Sequence, residues 1–275
     1  MLQRSQKDDK NDNDNFLFHF SSIKILKNET LVAAPLGSGV FLKHKDGDWQ
    51  GVRHGLPEGV HVNRLIVQES QLFACANKGL FKFDLESERW HDTELAIGCY
   101  QYKDYFGVSW AATPYGLWSR SHHGWQKAAY THVKVYDFLM YPQYFILAIE
   151  SGVAIYDRLI NEWMDFPIGQ GVTGLAIYQG HILGVTEDGA LLHGDKKGGF
   201  EQIRFPHLFL FSIVTKGTEV FVCTDRGLYR VGYIRNQVTL ISVRLGCPVT
   251  DIDCNAESLY MATLFQGIQR MERDS

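Results

Sequence analysis

One stretch constrains the fold more than any other because it repeats. Leu72 to Asp84 reads LFACANKGLFKFD: an apolar run, a short turn ending in Gly79, and a second run that alternates. That is the pattern of a tight β-hairpin. Aligned on the turn glycine, it returns at Gly39, Gly116, Gly152, Gly189, Gly227 and Gly267, with successive spacings of 40, 37, 36, 37, 38 and 40 residues. A fixed period of this length, built only from strand signals, predicts an all-β chain of radially arranged blades, a β-propeller. By length alone the 275 residues allow one or two domains. The repeat decides for one, a seven-bladed propeller of four-stranded blades over 16–275 behind a polar tail at 1–15.

A second element recurs about ten residues before each apolar run, in the spirit of V-x-x-L. It reads FSSI at 20–23, VNRL at 62–65, CYQY at 99–102, VYDF at 135–138, VTGL at 172–175, LFSI at 210–213 and VTDI at 249–252. This is the expected inner strand of each blade, nearest the axis. The apolar run and the segment after the glycine are then the second and third strands. An aromatic after a polar turn marks the outer strand at Trp49, Trp90, Trp125, Trp163 and Phe200, while blade six offers VTLISV instead. The turn glycine needs positive φ, which glycine adopts without a Cβ clash. After Gly267 only IQRMERDS remains, enough for a third strand but not a fourth. The N-terminal FLFHF, Phe16 to Phe20, is therefore expected to add the missing outer strand and close the ring, removing an exposed sheet edge.

Composition narrows the function classes. The net charge is -4 and the pI about 6.2, which gives no general electrostatic reason to bind nucleic acid or an anionic membrane. No stretch approaches the roughly 18 apolar residues of a membrane span. The N-terminal MLQRSQKDDKNDNDN has no apolar segment of the kind a secretory signal needs. Its DKNDND run lacks the central glycine and distal glutamate of an EF-hand loop. The five cysteines, Cys75, Cys99, Cys223, Cys247 and Cys254, form no close-spaced framework. Cys75 and Cys223 share one repeat position and are expected to be small buried hydrophobes. A reducing, cytoplasmic location is the expectation, and a monomer the expected state.

With these elements placed, the pattern V-x-x-L, polar turn, L-W/F-x-A-T-x-x-G-L-F-x-x-D resembles the propeller repeats of two-component regulator sensor domains. It is also similar to sialidase-type and assembly-factor propellers. KDGDW at 45–49, SHHGW at 121–125 and KKGGF at 196–200 look like decayed Asp-box turns. The resemblance covers 16–271 and implies a fold rather than an activity. The chain shows no second set of blades, sandwich domain or kinase, so a signal-sensing role is not carried over.

The sialidase likeness implies an arginine cluster, a tyrosine nucleophile and an acid pair. The inner strands supply one arginine, Arg64; Arg120, Arg230 and Arg270 fall on third strands, away from the axis. No paired carboxylates facing a sugar are evident. There is no P-loop, G-x-G-x-x-G or G-x-S-x-G. GQGVTG at 169–174 precedes a strand rather than a helix, so it does not cradle a phosphate. The histidines His19, His132, His181, His193 and His207 are scattered, His122 and His123 sit in a blade turn, and no set has metal-ligand spacing. No catalytic residue, metal site or cofactor is therefore assigned.

The site candidates come from geometry instead. In a propeller the two variable positions of each V-x-x-L lie beside the axial channel, toward one mouth. Asn63, Arg64, Tyr100, Gln101, Tyr136, Asp137, Thr250 and Asp251 are the residues expected to bind there, with Ser21, Ser22, Thr173, Gly174, Phe211 and Ser212 completing the ring. Arg64 is expected to pair with Asp137 or Asp251. The expected function is a non-catalytic binding or scaffold propeller that engages a protein or peptide through the mouth and the loops of one face. A small-ligand or carbohydrate-binding sensor is the second reading. A hydrolase or lyase with a dispersed site, one residue per blade, is the third. A binder should carry an exposed apolar or aromatic patch on one face, and an enzyme an acid and a base with perturbed pKa values in one pocket.

Overall fold

The hairpin repeat builds seven antiparallel sheets around an axis. The computed structural model describes residues 19–273 except 38, 46, 196 and 197. Among the described residues, six sheets have four strands in chain order, and the seventh has three, Val249–Cys254, Ser258–Thr263 and Ile268–Glu272. The inner strands of blades 1 to 6 are Phe20–Ile25, Val62–Gln68, Gln101–Tyr105, Val135–Met140, Val172–Tyr178 and Leu210–Lys216. Each packs against the inner strands of its two neighbours, and the ring closes where Val249–Cys254 meets Phe20–Ile25. Every V-x-x-L segment lies on an inner strand, although the regular strand in blade 3 starts at Gln101, two residues into its segment. The chain is a seven-bladed β-propeller.

The core lies between the blades. The second-strand side chains of one sheet interdigitate with the inner strand of the next, as in the cluster of Phe73, Cys75, Leu80, Cys99, Tyr102 and Ala111 between blades 2 and 3. Cys75 and Cys223 are both fully buried, as their shared repeat position predicts. The outer aromatics do more than fill space. Trp90 Nε1 donates to Val52 O at 3.0 Å, and Trp125 Nε1 donates to Thr93 O at 2.9 Å. Each indole thus ties an outer strand to the connection arriving from the preceding blade, and satisfies its own buried N–H.

Only part of the expected closing strand falls within the described residues. Of Phe16–Phe20, residues 16–18 lie outside the described residues, as does the tail at 1–15. Phe20 itself opens the inner strand of blade 1, where its own V-x-x-L segment places it. Among the described residues, blades 7 and 1 are joined by side chains: Thr250 Oγ1 donates to Phe20 O at 2.8 Å, and Asp253 Oδ2 accepts from Ile25 N at 2.8 Å.

The turn glycines adopt the backbone the repeat demands. Gly152 and Gly227 sit at φ +147° and +149°, and an added Cβ would lie 2.3 Å from Phe166 O and 2.0 Å from Arg244 O. Gly227→Ala should therefore lower stability by about 2 kcal/mol or more, because both the conformation and the space forbid the methyl group. Gly107→Ala, at φ +76° with no atom within 4 Å of where the new methyl group would sit, should cost about 1 kcal/mol. Thermal unfolding of the two variants checks the difference.

Candidate functional site

The inner strands create a problem that their side chains solve. Each has a neighbour on only one side, so its axial edge presents unpaired backbone N–H and C=O groups. Six of the seven carry a bulge at the variable positions, between Phe20 and Ser22, Val62 and Arg64, Val135 and Asp137, Val172 and Gly174, Leu210 and Ser212, and Val249 and Asp251. In a regular strand adjacent side chains point to opposite faces; a bulge breaks that alternation and re-aims the extra residue. Both variable positions thereby serve the axis.

The first position stitches blades together through carbonyls. Ser21 Oγ donates to Val62 O at 3.4 Å, Asn63 Nδ2 to Cys99 O at 2.8 Å, and Thr250 Oγ1 to Phe20 O at 2.8 Å. At three blades the second position accepts from the next blade's amide. Ser22 Oγ takes Leu65 N at 3.1 Å, Asp137 Oδ2 takes Leu175 N at 3.0 Å, and Asp251 Oδ2 takes Ile23 N at 3.0 Å. Carboxylates suit this position because an ionised acceptor strengthens each such bond to about 2 kcal/mol.

Asp251 and Asp137 are consequently structural. Asp251 Oδ2 also accepts from Ser22 Oγ and Lys24 Nζ, both at 2.6 Å, and Oδ1 accepts from Ile252 N at 2.9 Å. Asp137 Oδ1 accepts from Gln101 Nε2 at 2.9 Å and Phe138 N at 2.8 Å. Burial by itself would raise both carboxyls, but the surrounding charges and donors outweigh it: Lys103 and Arg64 at Asp137, Lys24 and Ser22 at Asp251. Both are held below the usual carboxylate range. Gln101 supplies a donor to Asp137 and an acceptor to Tyr102 N at 3.0 Å. Of the two pairings expected for Arg64, it approaches Asp137, at 3.7 Å, while Asp251 pairs with Lys24 at 2.6 Å.

The predicted residues therefore divide. Gln101, Asp137, Thr250 and Asp251 line an axial channel of about 880 Å³ reached by all seven blades. Tyr100 and Tyr136 line a separate depression of about 370 Å³ at the mouth. Asn63 and Arg64 border both. The two tyrosine rings lie 5.3 Å apart. Tyr136 OH donates to Glu187 Oε1 at 2.5 Å, and its phenol is pushed up by burial and by that carboxylate. Tyr100 is raised by burial and by Glu150 and Glu187.

Several residues were not singled out from sequence. Lys24, Lys103 and Asp253 line the channel one layer deeper, and Lys216 Nζ meets Asp253 Oδ1 at 2.6 Å. Lys24, Lys103 and Asp253 occupy one repeat position, immediately after V-x-x-L, so extending the repeat alignment by a single residue finds them. Leu36 and His61 join the mouth from turns, for which the repeat carried no signal. His181 and His193, scattered in sequence, stack at 4.8 Å on blade 5, and burial lowers the His193 imidazole. Among the described residues no group of three or more His, Cys, Asp or Glu gathers in a way that could hold a metal ion.

Comparison with known proteins supports the architecture. No family model matches the chain, and no curated protein matches it. Among solved structures, the extracellular domain of a putative one-component system from B. thetaiotaomicron aligns with TM-score 0.75 at 13% identity, over 94% of this chain and 39% of that one. Virginiamycin B lyase from Staphylococcus aureus aligns with TM-score 0.72 at 10% identity, over 94% and 96%. A chain of the mitotic checkpoint complex aligns with TM-score 0.69 at 12% identity, over 95% and 91%. The protein thus spans well under half the length of the sensor chain it matches. A sensor domain, a lyase and a checkpoint protein on one fold establish the fold alone.

The role of the channel carboxylates can be tested through stability. Asp251→Asn removes the charge facing Lys24 and should cost about 3 kcal/mol near pH 7, since it leaves a buried cation unpaired. A carboxyl held low in the folded state stabilises above its unfolded pKa of about 3.9, and that stabilisation is lost as pH falls through the lower folded value. The gap between wild type and variant should therefore narrow below about pH 4 in urea unfolding at a series of pH values.

Proposed function

We propose that this protein is a non-catalytic binding propeller that engages a protein or peptide through the channel mouth and its surrounding loops. One observation carries the reading: the channel carboxylates Asp137, Asp251 and Asp253 are taken up by amides and cations of neighbouring blades. Their chemistry is committed to holding the ring. The mouth groups differ. Tyr100, Tyr136 and Arg64 border an open depression, and Leu36 and Phe265 stand 57% and 62% exposed on turns of the same face. Tyrosine and arginine beside exposed apolar groups are the usual anchors of a protein interface.

The opposite face also carries apolar groups, at the other ends of the same strands. Phe106 is 83% exposed and Leu159 77%. The experiment therefore compares faces. Cross-linking pull-downs from native extract would use the intact protein, Tyr100→Ser with Tyr136→Ser, and Phe106→Ser with Leu159→Ser, after a check that all three melt alike. Arg64→Ala joins the set, but Asp137 stays untouched because it secures blade 4 to blade 5. Loss of a partner in the tyrosine variant alone supports the mouth reading. Loss only in the Phe106 variant moves the interface to the other face. Capture of nothing favours a small ligand or carbohydrate in the mouth, whose volume suits one, or a dispersed hydrolase or lyase site.

The compartment belongs to the same proposal. No helix among the described residues is long and apolar enough to cross a membrane. The odd number of cysteines and their lack of a close-spaced framework favour a reducing, cytoplasmic setting, and the Cys75 and Cys99 sulfurs lie 3.1 Å apart. The sensor chain it resembles is an extracellular domain, which favours the opposite. Non-reducing peptide mapping of protein taken from its native cells should find both thiols free; a Cys75–Cys99 crosslink would place it in an oxidising compartment.

A further inference from the structure

The channel's cations are closely paired on one side and loosely on the other. Where blades 6, 7 and 1 meet, two cations face two carboxylates at contact distance: Lys24 with Asp251 and Lys216 with Asp253, each at 2.6 Å. Where blades 2, 3 and 4 meet, two cations share one. Arg64 Nη1 and Lys103 Nζ each stop 3.7 Å from Asp137. Asp137 meanwhile accepts from Gln101 Nε2 and Phe138 N at Oδ1 and from Leu175 N at Oδ2. Lys103 settles on Phe138 O and over the Phe138 ring, 5.1 Å from its centroid. Burial, and to a lesser degree Arg64, lower its ammonium pKa against the opposing pull of Asp137.

Arg64 is the group left over. Among the described residues its guanidinium has that single 3.7 Å contact with Asp137, although it carries five donors. Its side chain is 30% exposed and borders both the channel and the mouth depression, beside the Tyr100 and Tyr136 rings. The nearby acids are already engaged. Asp104 accepts from Tyr102 OH at 2.9 Å and Ser109 Oγ at 2.5 Å, Glu187 accepts from Tyr136 OH, and Glu150 lies 3.9 Å from Lys134.

We propose that the mouth is a carboxylate-recognition site, in which Arg64, backed by Lys103, takes an acidic side chain or chain end of the partner. This rests on reading the mouth as a peptide-binding surface. A planar guanidinium matches a carboxylate in two parallel hydrogen bonds, which a lysine cannot reproduce. Tyr100 and Tyr136 form the wall against which the residue carrying the carboxylate packs.

The test uses the full chain and end-capped fluorescent peptides of one alanine–tyrosine frame, bearing a glutamate, a glutamine or a free C-terminal carboxylate. Free glutarate is titrated separately by calorimetry. Anisotropy should show the carboxylate peptides binding about tenfold or more tighter than the glutamine peptide, with the difference shrinking at high salt. Arg64→Met should abolish that preference, and Arg64→Lys should restore only part of it; both must melt like wild type, and Lys127→Ala, an exposed cation on the outer strand of blade 3, serves as the control. Equal binding of the glutamate and glutamine peptides overturns the carboxylate site and leaves the peptide reading standing. Binding of glutarate without any peptide keeps the carboxylate site and overturns the peptide reading. Binding of none of these probes overturns the carboxylate site, and the pull-down then judges the peptide reading by itself. An unchanged preference in Arg64→Met also overturns the assignment.

Discussion

The structure depends on how the axial edge of each inner strand is satisfied. A blade is an ordinary antiparallel sheet, and its inner edge would be an open row of hydrogen-bonding groups. The side chains at the two variable positions of V-x-x-L cross to the neighbouring blade and occupy that row. Asp251 reaching Ile23 N, Ser22 reaching Leu65 N and Asp137 reaching Leu175 N are one interaction repeated at different blade junctions. The ring is thereby held by polar contacts at its narrowest part and by apolar clusters farther out. At the junction of blades 7 and 1 the chain has no covalent continuity, and there the carboxylates Asp251 and Asp253 both contribute.

That use of polar groups changes what a polar channel means. Two aspartates and an arginine converging in a funnel look, as a bare inventory, like acid–base machinery. In the ring, every oxygen of Asp137 and Asp251 accepts at least one hydrogen bond from the blades themselves. Arg64 stands 3.7 Å from Asp137, whereas Lys24 and Lys216 meet Asp251 and Asp253 at 2.6 Å.

The fold was legible to an unusual depth because a propeller writes its architecture as a period. The turn glycines, the inner strands and the buried positions of Cys75 and Cys223 all follow from aligning one hairpin on itself. The site was legible only as a ring of positions. Sequence placed Arg64, Asp137 and Asp251 beside the axis but treated them as equivalents, and it stopped one residue short of Lys24, Lys103 and Asp253. Leu36 and His61 were invisible because they arrive from turns whose course no periodicity encodes.

The sequence alone determined the number of blades, the inner strands and a ring of axial positions, since these depend on local patterning that repeats around the ring. Tertiary structure decided which of those residues are spent and which are free. Hydrogen-bond saturation is a property of neighbours on adjacent blades, roughly 40 residues apart in sequence and, at the closing junction, at opposite ends of the chain. Asp137 meets Leu175, and Asp251 meets Ile23, only once the blades stand side by side in the ring. No pattern within one repeat can record which partner its edge will meet.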